Sequence, residues 1–233
     1  MNKRLGVLGG MGPQATNTFY QFVIDRTDAR TDQEHVNALI LSDSGMPDRT
    51  AAILGSEKAR QAVYERLLSD AKLLESAGCT AIAVPCNTSH FFLDKVQEQI
   101  SIPIIHMIRE TAKLLASQGY KRPGILATDG TVQMGLYQSA CQAAGLQAVT
   151  PPPDIQKLVM SVIYDEIKKG EAGSREKFAA VDRELRALGC EAAILACTEL
   201  SVYRSSHGLP PFYLDAMDVL IRESVLRSGA VYQ

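Results

Sequence analysis

The sequence has no tryptophan, no Cys-x-x-Cys pair and no apolar run near the roughly 20 residues that a membrane helix needs. Its longest apolar pieces, such as 81–85 and 192–196, have strand length. Neither sign of charge is in excess. The 24 Lys plus Arg and 26 Asp plus Glu give a formal net charge of −2. That balance supplies no overall field for nucleic acid or an anionic membrane surface, so neither partner is expected and any anion must be bound locally. The five cysteines (Cys79, Cys86, Cys141, Cys190 and Cys197) are odd in number and the four histidines are scattered. That argues against a disulfide framework and against a metal site. The basic start, Lys3-Arg4, runs into an apolar stretch that Gly12-Pro13 stops early, with no small-x-small cleavage pattern after it. It does not read as a signal peptide, so a soluble cytoplasmic protein with reduced thiols is expected.

At 233 residues and 46% hydrophobic, the chain has enough apolar side chain for one large domain or two lobes. Short apolar runs at 5–9, 38–42, 81–84, 102–105, 124–127, 148–150, 192–196 and 212–214 alternate with helix-length segments. Most are apolar on both faces, as strands of a covered parallel sheet are. Residues 57–77 place Val63, Leu67, Ala71 and Leu74 on one stripe and end at Gly78, which predicts a helix closed by glycine. Asp154, after three prolines, is the expected N-cap of another. The fold class expected is α/β with mostly parallel sheets flanked by helices.

An internal repeat is the most informative feature. Leu74, Gly78, Cys79, Ala81 and Cys86 recur as Leu185, Gly189, Cys190, Ala192 and Cys197, each displaced by 111 residues. Arg4, Gly6 and Leu8 recur as Arg122, Gly124 and Leu126, displaced by 118. Two similar lobes follow, 1–117 and 118–210, related by pseudo-twofold symmetry. Residues 211–233 are candidates to pack back onto the first lobe. Ligands of open α/β sheets sit beyond the carboxyl ends of the strands, so the expected active site is a cleft between the lobes with Cys86 and Cys197 on opposite sides. Each thiol follows a strand run and is expected to open a helix, where backbone N–H groups and the helix dipole lower a thiol pKa. Two such bases suit removal of a proton from one face of a carbon and its return to the other. The competing reading makes both of them small buried hydrophobes. Cys79, Cys190 and Cys141 are read as structural.

Gly9-Gly10-Met11-Gly12-Pro13, Pro47-Asp48-Arg49-Thr50, Pro85-Cys86-Asn87-Thr88-x-His90, Ala127-Thr128-Asp129-Gly130-Thr131 and Cys197-Thr198-Glu199, in this order and spacing, resemble the cofactor-independent aspartate/glutamate racemases. The aspartate racemase branch is the nearer likeness, and the resemblance runs from residue 4 to about residue 220. It implies an isomerase that interconverts L- and D-aspartate, with glutamate the other candidate, without pyridoxal phosphate or any other cofactor. By similarity Cys197 takes the α-proton of the L-enantiomer and Cys86 that of the D-enantiomer. Asn87, Thr88, Thr128, Thr131 and Thr198 are implied to hold the α-carboxylate and α-ammonium, a role suited to strand-to-helix turns. Arg49 and Lys168 match positions that recognise the side-chain carboxylate. Met11 is placed against the ligand edge, and Glu199 beside Cys197. The partners implied are a small amino dicarboxylic acid and a second copy of the chain in a homodimer.

Duller roles compete for several of these residues. Lys168 falls near the end of the helix from Asp154, where the dipole favours a cation without any ligand. Arg49 fits a solvated turn, and the threonines fit helix caps. Other functions also remain open. A decarboxylase or cis/trans isomerase of dicarboxylates needs only one thiol, and a non-catalytic small-acid binding protein needs none. Gly10-x-Gly12-x-x-Ala15 with Asp43 satisfies a dinucleotide pattern, and Cys86 with His90 a cysteine hydrolase.

Overall fold

A computed structural model describes residues 3–233. They form two compact α/β units, one running to Met107 together with Met217–Gln233, the other Ile108–Ala216. In the first unit, β1 (Leu5–Gly9), α1 (Pro13–Asp25), β2 (Ala38–Ser42), α2 (Arg49–Leu54), α3 (Glu57–Ser76), β3 (Ala81–Ala83), α4 (His90–Gln97) and β4 (Ile104–Ile105) alternate. All strand pairs are parallel, in the order β2-β1-β3-β4. The chain enters the second unit in the first turn of α5 (Met107–Ser117), upstream of the boundary expected after residue 117. There follow β5 (Pro123–Leu126), α6 (Asp129–Gln133), α7 (Leu136–Ala143), α8 (Pro153–Ser161), α9 (Arg175–Ala187), β6 (Ala192–Leu195), α10 (Thr198–His207), β7 (Tyr213–Asp215) and α11 (Ala216–Arg227). The second sheet is parallel, in the order β5-β6-β7. Residues 211–233 divide: β7 completes the second sheet, and the segment from Met217 belongs to the first unit. No helix among the described residues is long and apolar enough to cross a membrane.

The repeat in the sequence is a repeated packing solution. A side chain at Gly6 would press on Cys79 Sγ at 3.2 Å and Leu74 Cβ at 3.3 Å. One at Gly124 would meet Leu185 Cδ2 at 2.9 Å and Cys190 Sγ at 3.3 Å. In each unit the glycine lets the helix that leads into the neighbouring strand, α3 or α9, settle its Leu, and the cysteine just past its end, directly on this strand. The arginine two residues earlier ties off that helix: Arg4 Nη1 donates to the Ala77 carbonyl at 3.0 Å, and Arg122 Nε to the Leu188 carbonyl at 3.2 Å. Burial pushes the Cys79 and Cys190 thiols up. Both cysteines are parts of the core.

Three local expectations fail. β2 is not buried on both faces: Leu39 is 37% and Ile40 36% exposed, because β2 is an edge strand. Residues 148–150 contribute a single bridge, Gly124 with Val149, since the three prolines that follow turn the chain into α8. The cap of α8 is Pro152 with Pro153 opening the helix, so Asp154 lies inside the first turn, where a carboxylate suits the dipole without capping.

α3 buries Val63, Leu67, Ala71 and Leu74, as its stripe predicts, with each fully buried Val or Leu contributing about 1.5–3 kcal/mol. It also buries Asp70. Asp43, just past β2, accepts from Arg66 Nε at 2.5 Å, from Arg66 Nη2 at 2.8 Å and from the Gly45 N–H at 3.0 Å. Burial, and after it the charge and hydrogen bond of Asp43, push the Asp70 carboxyl up to about 6. A raised carboxyl stabilises the fold while protonated, below its ordinary 3.8, and loses that contribution as the pH rises through about 6. Asp70→Asn is therefore expected to match the wild type in urea unfolding near pH 4 and to be the more stable protein near pH 8. Equal midpoints at both pH values would contradict this account.

Candidate active site

Most of the residues singled out from the sequence collect at the carboxyl ends of adjacent strands, separately in each unit; Lys168 does not. In the first unit Met11 follows β1 and Cys86 follows β3, its neighbour in the sheet. Gly10, at φ +88°, turns the chain after β1; a Cβ there would lie 2.3–2.4 Å from the Asp43 backbone. That space is filled by backbone and the Asp43 carboxylate by Arg66, so the dinucleotide reading has neither its phosphate cradle nor its ribose acceptor. Met11 is buried and its sulfur accepts from the Ser89 hydroxyl at 3.1 Å. Arg49 is the first residue of α2, behind Asp48, whose side chain caps the Ala51 N–H at 2.7 Å. It is a buried residue, not a solvated turn. Its guanidinium donates to the carbonyls of Pro47 at 2.8 Å, Met46 at 3.3 Å and Met11 at 3.4 Å. Sequence, turn and cap thus bring Met11, Arg49 and the Cys86 loop into one buried cluster.

Cys86 does not open a helix directly. Residues 87–89 make a turn, and α4 starts at His90. The turn is closed by the His90 N–H on the Asn87 carbonyl at 3.0 Å and the Phe91 N–H on that of Thr88 at 3.3 Å. Asn87 and Thr88 are both buried. The His90 ring sits against the Cys86 backbone, with Nδ1 2.9 Å from its carbonyl oxygen. Burial, then the neighbouring His106, push His90 down to about 3. A ring that is neutral and engaged by backbone on both nitrogens is not the base a cysteine hydrolase requires.

In the second unit Thr128 follows β5 and Cys197 follows β6, again neighbours. The Ala196 N–H donates to the Leu126 carbonyl at 2.8 Å, which holds the two strand ends together. Thr128 is the N-cap of α6 without a side-chain cap bond; its hydroxyl lies 3.2 Å from that of Thr131. Cys197 is the N-cap residue of α10, so the helix expected there is present. Its thiol, 5% exposed, donates to Glu199 Oε2 at 2.9 Å, and the Thr198 hydroxyl reaches the same oxygen at 3.4 Å. The expected lowering of the thiol does not occur. Burial first, then the charge and hydrogen bond of Glu199, push Cys197 well above its ordinary 9.0, against the pull of Lys168 and the Glu199 backbone N–H. A helix terminus is outweighed where the thiol is dry and faces a carboxylate.

Lys168 is not at the end of an α-helix from Asp154. α8 stops at Ser161, continues as a π-helical turn over Val162–Glu166 and ends as a 3₁₀ turn over Ile167–Lys169. Its ammonium lies 4.0 Å over the Tyr164 ring and acts electrostatically on Cys197. Two residues not singled out in the sequence support these groups. Ser89 holds Met11, as above. Glu166, buried, accepts from the Ser174 N–H at 2.6 Å and Lys177 Nζ at 2.5 Å, which fixes the irregular turn that carries Lys168. Ser89 lies inside the cysteine motif, but nothing in the spacing of Glu166 marks it.

The Asp/Glu/hydantoin racemase family model matches residues 8–223. The chain belongs to this family. A broad specificity amino-acid racemase of Bacillus subtilis (strain 168) is 29% identical over 149 residues, 62% of this chain and 63% of that protein. A glutamate racemase of Limosilactobacillus reuteri is 26% identical over 145 residues, 60% of this chain and 52% of that one. The matches thus span less than two thirds of the length of either relative. Among solved structures, Picrophilus torridus aspartate racemase superposes with a TM-score of 0.83 at 27% identity, covering 99% of this chain and 96% of its own. An aspartate racemase homologue from Pyrococcus horikoshii OT3, at 22% identity, 98% and 100% coverage and a TM-score of 0.77, shares the fold. Family members of both aspartate and glutamate type therefore resemble this racemase-family chain.

Proposed function

We propose that this protein is an amino-acid racemase that inverts Cα by two-base proton transfer between Cys86 and Cys197, with aspartate as the preferred substrate and glutamate second. The observation that carries the proposal is the buried Cys197 thiol on the Glu199 carboxylate at the N-terminus of α10, in a chain whose repeat places a second thiol, Cys86, at the equivalent strand end. At rest Cys197 is a thiol, the protonation state of the acid partner. With an L-substrate it first passes its proton to Glu199 and then, as thiolate, takes the α-proton. The negative charge that develops on the α-carboxylate is stabilised by N–H donors at the start of α10 and by the threonines. Cys86 delivers its proton to the opposite face, giving the D-enantiomer, and after product release the proton held by Glu199 passes through solvent to the thiolate left on Cys86. The D-substrate enters the form with Cys86 as thiolate and Glu199 protonated and runs the same steps in reverse, and no step calls on a cofactor. Arg49 and Lys168 are the cations proposed for the side-chain carboxylate, which is what favours an acidic amino acid.

Proton NMR in D₂O of the reduced protein with L-aspartate, and separately with L-glutamate, tests this directly. The α-proton signal should disappear while chiral analysis shows the D-enantiomer. Aspartate should be faster by about 10-fold or more, since one methylene is worth about 1–3 kcal/mol in a fitted pocket. No exchange with either acid would overturn the proposal, and exchange with retained configuration would reduce it to a single working thiol.

A further inference from the structure

We infer that His90 is a positioning residue that holds the Cys86 loop through a fixed, uncharged imidazole bridging two backbone groups. The Met107 N–H points at His90 Nε2 at 3.1 Å, and a backbone N–H can only donate. Nε2 is therefore the acceptor, the ring proton sits on Nδ1, and Nδ1–H donates to the Cys86 carbonyl at 2.9 Å. The ring is 3% exposed and meets His106 edge-on at 4.9 Å, which closes off other orientations. Cys86 lies in irregular chain between β3 and α4, so it has neither strand pairing nor helix bonds to hold it. With the Cys86 N–H on the Val84 carbonyl at 2.8 Å, the His90 bond ties the backbone of Cys86 on its carbonyl side. The same ring joins that peptide to the chain just past β4, across the sheet edge where Cys86 sits.

This role deepens the proposed racemase reading, because it concerns the thiol assigned to the D-face. Its tests separate the two. His90→Phe keeps an aromatic ring but removes both bonds; His90→Asn keeps a donor where Nδ1 lies. With His90→Phe, turnover of the D-enantiomer is expected to fall by roughly 10- to 100-fold in kcat with little change in KM, the effect of a misplaced reacting group. His90→Asn should recover part of it. Independently of any activity, iodoacetamide labelling read by mass spectrometry should quicken at Cys86 by about tenfold in His90→Phe, as its loop opens locally, while Cys79 in the same unit stays at its wild-type rate. Unchanged Cys86 labelling, or Cys79 and Cys86 quickening together, would overturn the positioning role. If the wild type racemises nothing, labelling alone decides it.

Discussion

Cys197→Ser and Cys86→Ser are each expected to abolish racemisation in both directions, a loss of about 10²- to 10⁴-fold or to below detection, without unfolding the protein. A serine hydroxyl is a far weaker acid than a thiol. It fits the same space and can still donate to Glu199 where Cys197 stood. The melting temperature should therefore stay within about 4 °C of the wild type, the shift expected for about 1 kcal/mol in a chain of this size. The two variants differ in what remains. Cys86→Ser retains the thiol assigned to the L-face, so in D₂O it should still exchange the α-proton of L-aspartate slowly without forming the D-enantiomer. Cys197→Ser should do the converse with D-aspartate. Full activity in either variant would remove the two-base assignment. A single thiol that serves both faces would show as one inactive variant and one active one.

Glu199→Gln separates two effects of one carboxylate. Glutamine keeps the shape and a hydrogen-bond acceptor, but it carries no charge and cannot take a proton. Without the Glu199 charge, one of the causes holding Cys197 up disappears, so the thiol comes down while burial continues to raise it. At a fixed pH near 8 the thiolate fraction grows, and Cys197 should be alkylated faster than in the wild type. Racemisation of L-aspartate should nevertheless slow by about 10²-fold, because the proton of Cys197 has no acceptor when the substrate is bound. Faster labelling with slower turnover is a signature that loss of structure does not give, since unfolding would also quicken Cys190. Unchanged turnover would show that Glu199 is not the proton acceptor.

The fold was legible where its signals are local. Two-faced apolar runs gave β1, β3, β5 and β6 to within a residue or two, and the α3 stripe named the side chains that the helix buries. The repeat was legible because a glycine on a strand, a leucine on the packed helix, a cysteine just past its end and an arginine bound to its last carbonyls form one unit of packing. Where several elements compete, the signal was lost. Ala38–Ser42 reads as a buried strand in isolation, and its edge position depends on which strands pair with β1. Asp154 is a good cap by residue type, yet the preceding prolines set where the helix begins.

For the proposed site, the candidate residues were named from the sequence: the two thiols and most of the turn threonines follow strands because the α/β pattern puts strand-to-helix turns there, whereas Arg49 opens α2 and Lys168 ends the irregular helical run after α8. Their electrostatics could not be read from the sequence. The sequence places Cys197 at a helix N-terminus, which favours a thiolate; only the tertiary structure shows it dry and on a carboxylate, which favours the thiol. Likewise the tautomer of His90 is set by the Met107 N–H, seventeen residues away. Periodicity and turn chemistry act over a few residues and can be read along the chain. Desolvation and charge pairing depend on everything that surrounds a group in space, and only the folded packing decides them.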